Sequence, residues 1–164
     1  RSYFLDSVRY WTGDDTKIVV DNDRKNEKEY EDEQKAIDDI EKELSVDIPR
    51  FLYRPEGLKF KDYNISKDFE YALLQYDYND TIMTLYINKY DKETKSTGAS
   101  LDGKEIETIK LPEGEASIQV KRIMAKGDKK ASYVAYWNNS TEFYQIESQM
   151  EEKEFIKLIK NIKF

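Results

Sequence analysis

The sequence predicts an α+β fold: an antiparallel meander sheet with N-terminal helices and a C-terminal helix packed on it. Three observations lead there. Apolar residues recur at helical spacing near both ends of the chain. Between them, over residues 58–147, short aromatic and β-branched segments are separated by turn signals. No helical pattern interrupts that run, so the crossovers a parallel sheet needs are missing.

The elements follow in order. Over residues 3–11, Phe4, Val8 and Trp11 share a helical face with Leu5 beside them, until Gly13 and Asp14-Asp15 break the pattern. Residues 16–20 read as a short strand and residues 21–28 as a polar loop. Residues 29–44 are helical, with Tyr30, Ile37, Ile40 and Leu44 recurring on an otherwise ionic helix. Pro49 marks the exit, and Arg54-Pro55-Glu56-Gly57 is a turn. Leu58, Phe60 and Tyr63 begin the strands, and residues 69–78 continue them to the turn at Asn79-Asp80. Residues 81–90 place Met83, Leu85 and Ile87 on one face and Ile82, Tyr86 and Tyr90 on the other. A polar loop over 91–102 closes at Gly103; the next strand, 104–111, ends at Pro112-Glu113-Gly114. Ile118, Val120 and Met124 alternate up to Gly127-Asp128, and residues 131–137 and 143–146 flank the turn Asn138-Asn139-Ser140. Ser148 with Glu151 forms a capping box for the last helix, whose stripe is Phe155, Ile156, Ile159 and Ile162. One domain accounts for residues 1–164, with 1–47 as an N-terminal helical extension and 48–164 as the sheet plus closing helix.

Composition limits the chemistry. The 164 residues include no Cys and no His. Thiol nucleophiles, disulfide frameworks, Cys/His zinc sites and imidazole relays are therefore excluded. Lys and Arg number 27 against 34 Asp and Glu, a net charge of −7, and an acidic chain repels nucleic-acid phosphates. The densest cations are Lys126, Lys129 and Lys130 at a hairpin tip, and Lys157, Lys160 and Lys163 where a helix C-terminus favours them. No nucleic-acid partner is expected. No apolar run approaches the roughly 20 residues of a membrane span, so membrane attachment is expected only through a segment upstream of Arg1.

Each possible site has a plain structural account. The carboxylate pairs Asp14-Asp15, Asp38-Asp39 and Glu151-Glu152 fall in a loop, on a charged helix and in a helix first turn, where solvation explains them. A hydrolase would need such a pair across a cleft. Asp21-Asn22-Asp23, followed by Glu29, Glu31 and Asp32, resembles a calcium loop. However, Lys25 and Asn26 stand at its fifth and sixth positions, where an EF-hand needs an oxygen ligand and Gly. An acidic loop entering a helix explains the residues without an ion; an irregular calcium site is the alternative. No cofactor is expected. Asn64, Asn79, Asn138 and Asn139 match the glycosylation pattern, but turn chemistry is enough for them.

Tyrosine is the compositional oddity, with 13 Tyr against 7 Phe and 2 Trp. Tyr76, Tyr78, Tyr86, Tyr133, Tyr136, Trp137 and Tyr144 lie on predicted strands and form the candidate binding face, since such rings bury area and keep a polar handle. Ordinary cross-strand packing is the competing account. No catalytic residues are assigned.

From Leu44 onward the chain resembles the bacterial domain of unknown function 4367. The resemblance lies in Leu44-Ser45-Val46-Asp47-Ile48-Pro49, the turn Tyr53-Arg54-Pro55-Glu56-Gly57-Leu58, and the Tyr-rich hairpin over 74–86. It continues through Trp137, Tyr144-Gln145-Ile146 and Glu154-Phe155-Ile156-Lys157-Leu158-Ile159-Lys160. Arg54 departs from the Leu more common at its position. The resemblance implies the extracytoplasmic C-terminal part of a single-span, anti-sigma-factor-like membrane protein of a Gram-positive bacterium, with no catalytic motif to carry over. The expected function is a non-enzymatic sensor or interaction domain for a protein, peptide or cell-envelope ligand. A secreted carbohydrate- or envelope-binding module using the aromatic face is the alternative, and a carboxylate hydrolase comes third.

Overall fold

The computed structural model describes residues 16–17, 26–89, 103–111 and 117–164. The predicted helix over 3–11, the Asp14-Asp15 pair, the calcium-like Asp21-Asn22-Asp23, Tyr90, the 91–102 loop and the 112–114 turn lie outside them.

The strands are β1 (Thr16–Lys17), β2 (Arg50–Phe51), β3 (Leu58–Ser66), β4 (Tyr71–Tyr78) and β5 (Thr81–Lys89). They continue as β6 (Lys104–Lys110), β7 (Ser117–Ile123), β8 (Ser132–Asn138), β9 (Glu142–Ser148) and β10 (Ile162–Lys163). The helices are α1 (Asn26–Leu44) and α2 (Glu152–Lys160). The fold is α+β. Its main sheet has the order β1-β3-β4-β5-β9-β8-β7-β6, with every neighbouring pair antiparallel, and β2 pairs with β10 in a separate ribbon.

The meander comes in two halves. β3 to β5 run in order, the chain then passes to β6 at the far edge, and β6 to β9 return until β9 seats against β5. The last strand of the sheet is therefore also its centre.

Both helices cover one face. Ala36, Ile37, Ile40 and Leu44 of α1, with Phe155, Leu158 and Ile159 of α2, share a core with Phe60, Leu74, Tyr76, Leu85, Ala135 and Ile146 of the sheet. The 3.6-residue period of α1 supplies its apolar stripe, and its acidic residues fasten it at the margins. Glu29 accepts the Phe60 N–H at 2.7 Å, and Glu41 accepts the Ile48 N–H at 3.0 Å. Asp39, expected on a solvated face, accepts the Tyr63 hydroxyl. The chain leaves α1 through Ser45 in the left-handed region (φ 55), whose N–H bonds the Glu41 carbonyl at 3.0 Å.

Several boundaries depart from the sequence pattern. α1 begins three residues before the expected Glu29, at Asn26. Phe69 does not start a strand: it lies in the β3–β4 turn at 75% exposure, beside Glu70 at φ 54. Met124 falls past the end of β7 and is exposed. The capping box does not form either. Ser148 ends β9, buried, and its hydroxyl accepts the Met150 N–H at 3.1 Å; the N-cap of α2 is Glu151, without a side-chain cap bond. Pairing with Tyr133 keeps Ser148 in the strand, three residues before the N-cap position the box would need it to fill. Ile162 belongs to β10, not to the helix, and Leu158 joins the buried stripe.

Candidate functional site

The seven aromatic residues of the candidate face do not share a face. Tyr76, Tyr133, Trp137 and Tyr144 belong to the helix-covered core, and Tyr78 packs against it half-buried. Tyr86 and Tyr136 point the other way, into a second cluster with Leu73, Ile123, Val134 and Phe143. The period of two along a strand requires this split: Tyr136 and Trp137 are neighbours in β8 and must diverge.

On the helix side the rings build structure. Trp137 and Tyr144 stack at 5.1 Å with 13° between planes, and Phe164 meets both edge-on. Tyr133 lies 5.9 Å from Phe155 of α2. The Tyr144 hydroxyl donates to the Asp47 carbonyl at 2.7 Å. The fully buried Tyr76 donates to Glu33 Oε2 at 2.7 Å, and Arg54 Nη2 donates to the same oxygen at 2.7 Å. Burial raises the Tyr76 hydroxyl well above its ordinary pKa, and the Glu33 carboxylate adds to the shift. Burial likewise raises Tyr144, with Glu142 and Asp47 as lesser causes. Tyr78, though half-buried, is raised by desolvation first and then by Glu154 and Glu151. Four carboxylates of α1, namely Glu29, Glu33, Asp39 and Glu41, thus hold the helix to the sheet and the segment that follows it.

The opposite face has a different chemistry. Tyr71 and Tyr86 lie 5.8 Å apart, and Tyr86 meets Phe143 at 6.4 Å. Asn88 Nδ2 donates to the Tyr86 hydroxyl at 2.7 Å, and the Lys121 ammonium lies 5.5 Å above the Tyr136 ring. The Tyr136 hydroxyl reaches Glu105 at 3.4 Å, and its pKa is raised by desolvation first and by that carboxylate second. Beside these rings runs a polar row. Gln75 stands opposite Thr84 across β4–β5, and Thr84 opposite Glu147 across β5–β9. In the next row Tyr86, Gln145 and Tyr136 follow one another across β5, β9 and β8. Gln75, Thr84, Gln145 and Glu147 are all buried. They were not among the sequence candidates. The available signal was the alternation of β9, where Phe143, Gln145 and Glu147 oppose Tyr144 and Ile146.

Among the described residues, no group of three or more carboxylates is placed to hold a metal ion. No described helix is long and apolar enough to cross a membrane. A shallow cleft of about 380 Å³ lies between α2 and β6, lined by Glu107, Glu152, Lys153, Ile156, Lys157 and Lys160.

No curated protein and no solved structure matches the chain. A family model, domain of unknown function DUF4367, matches residues 48–162, from just before β2 to the start of β10, leaving out α1. The chain belongs to the DUF4367 family.

Proposed function

We propose that the chain is a non-enzymatic, extracytoplasmic sensor or interaction domain of a membrane-anchored, anti-sigma-factor-like bacterial protein. It binds a protein, a peptide or a cell-envelope component and meets the membrane through a segment upstream of Arg1. The observation that carries this reading is membership of the family over residues 48–162. The use of the α1 carboxylates supports it: Glu29, Glu33, Asp39 and Glu41 each accept a hydrogen bond that ties the fold together, which suits a binding scaffold better than an acid–base pair.

Protease treatment of intact cells expressing the full-length gene tests the location. Release of this domain while a cytoplasmic marker survives is the expected result. Protection until the cells are lysed would sink the extracytoplasmic reading.

The face away from the helices favours a second reading, a secreted carbohydrate- or envelope-binding module. Its buried polar row beside aromatic rings is the specific observation behind it.

A further inference from the structure

Strand β6 is a sheet edge: among the described residues it pairs with β7 alone, so the outer row of its backbone N–H and C=O groups meets no described strand. Its register with β7 fixes where each side chain points. Glu107 and Ile109 stand opposite Val120 and Ile118 of the helix-covered core, and Ile106, the extra residue of a bulge between Glu105 and Glu107, packs against that core. Glu105, Thr108 and Lys110 stand opposite Lys121, Gln119 and Ser117 and point to the other face. Lys104 on the helix side, and Glu105, Thr108 and Lys110 on the other, are exposed, so the edge is accessible from both faces. On the helix side the cleft of about 380 Å³ leaves room beside the strand, and Lys160 neutralises Glu107 at 3.3 Å.

We propose that β6 is the interface for a second copy of this chain: the two β6 strands pair antiparallel about a two-fold axis at Thr108, joining two eight-stranded sheets into one. Opposed residues of an antiparallel pair share a face. With the bulge counted as one position, Thr108 meets Thr108 of the second copy, Ile109 meets Ile106 and Glu107, and Lys110 meets Glu105. The axis repeats each contact, so the bare face gains two Lys110–Glu105 pairs and the helix side brings Ile106 and Ile109 together twice. Charges on an edge refuse most neighbours, and those of β6 select this register. Slipping the copies by two residues one way sets Glu107 against itself; slipping them the other way leaves no ion pair. An unrelated extended peptide would match the backbone but not this charge order. A single strand pair buries less than a standard interface, so the dimer is weak, with a Kd of about 100 μM. Such pairing is independent of which ligand the domain binds.

Sedimentation velocity on the full chain, carried to about tenfold above that Kd, tests the proposal with Glu105→Lys and Lys110→Glu, whose folding is checked by circular dichroism. The parent chain should dimerise. Each variant alone sets like charges opposite each other at both pairs and should weaken the dimer about tenfold or more. An equimolar mixture of the two variants restores opposite charges at both pairs, so a heterodimer of about the parent's affinity should form. A parent chain that stays monomeric throughout overturns the proposal and leaves the edge open to other strands. A dimer untouched by either substitution lies elsewhere on the molecule and overturns it as well. Dimerisation lost in both variants and not regained on mixing overturns the register. Hydrogen exchange of the parent chain needs no variant: the β6 amides should slow as its concentration rises, and rates independent of concentration contradict pairing at this edge.

Discussion

Tyr136 and Trp137 sit side by side in β8 and answer to opposite surroundings. Trp137 is 3% exposed and stacked on Tyr144, so Trp137→Ala should cost about 3–5 kcal/mol in urea denaturation. A loss below about 1 kcal/mol would show that the stack does not anchor the core. Tyrosine ionisation gives a second check at this scale. The ordinary pKa is 10.0, and Tyr76 and Tyr144 are both raised in the folded state. Above pH 10 the unfolded chain therefore releases protons that the native chain retains. Stability is intact below pH 10 and falls as pH rises beyond it. Absorbance at 295 nm and circular dichroism followed together should show these two rings ionising with unfolding. Ionisation completed while the native dichroism persists would contradict their burial. Which tyrosines face which way was legible from sequence position within each strand; residue type concealed it, because aromatic rings suit both faces of a pleated sheet.

Helix α1 lies outside the family match yet inside the core. Ile37, Ile40 and Leu44 pack among sheet residues, and Glu33 binds Tyr76 and Arg54. A chain starting at Ile48 leaves that surface open and Tyr76 without its acceptor. It should lose cooperative unfolding and bind a hydrophobic dye, as measured by urea titration and fluorescence. A sharp, native-like transition would instead make α1 an accessory. The existence of α1 and three members of its apolar stripe, Ile37, Ile40 and Leu44, were plain in the sequence, since a 3.6-residue period over a long ionic segment has one good interpretation; Tyr30, expected in the same stripe, is exposed instead. The roles of Glu29, Glu33 and Asp39 were not plain. Their partners lie far along the chain, and a carboxylate that will accept a tyrosine hydroxyl looks locally like any solvated one. The capping box at Ser148 failed for a related reason: the local pattern was right, but pairing with Tyr133 claims Ser148 for the sheet.

At the scale of the whole molecule, strand order was hidden because no turn joins β5 to β9. Hairpins announce themselves through short loops such as Asn79-Asp80, but the pairing of Leu85 with Ile146 joins residues brought together only by the finished sheet. That pairing has consequences for stability. β9 has neighbours on both sides and is buried along its length, whereas β6 is an edge strand with mostly exposed or half-buried residues. Opening β6 breaks one ladder; opening β9 separates the two halves of the sheet. Native-state hydrogen exchange should therefore find the slowest amides in β5 and β9, opening only with global unfolding, and faster, sub-global exchange in β6. A sheet closed by its last strand also has many contacts distant in sequence, so folding in milliseconds to seconds is expected. Amides of β6 that exchange as slowly as those of β9 would show that the edge is held by something other than its pairing with β7.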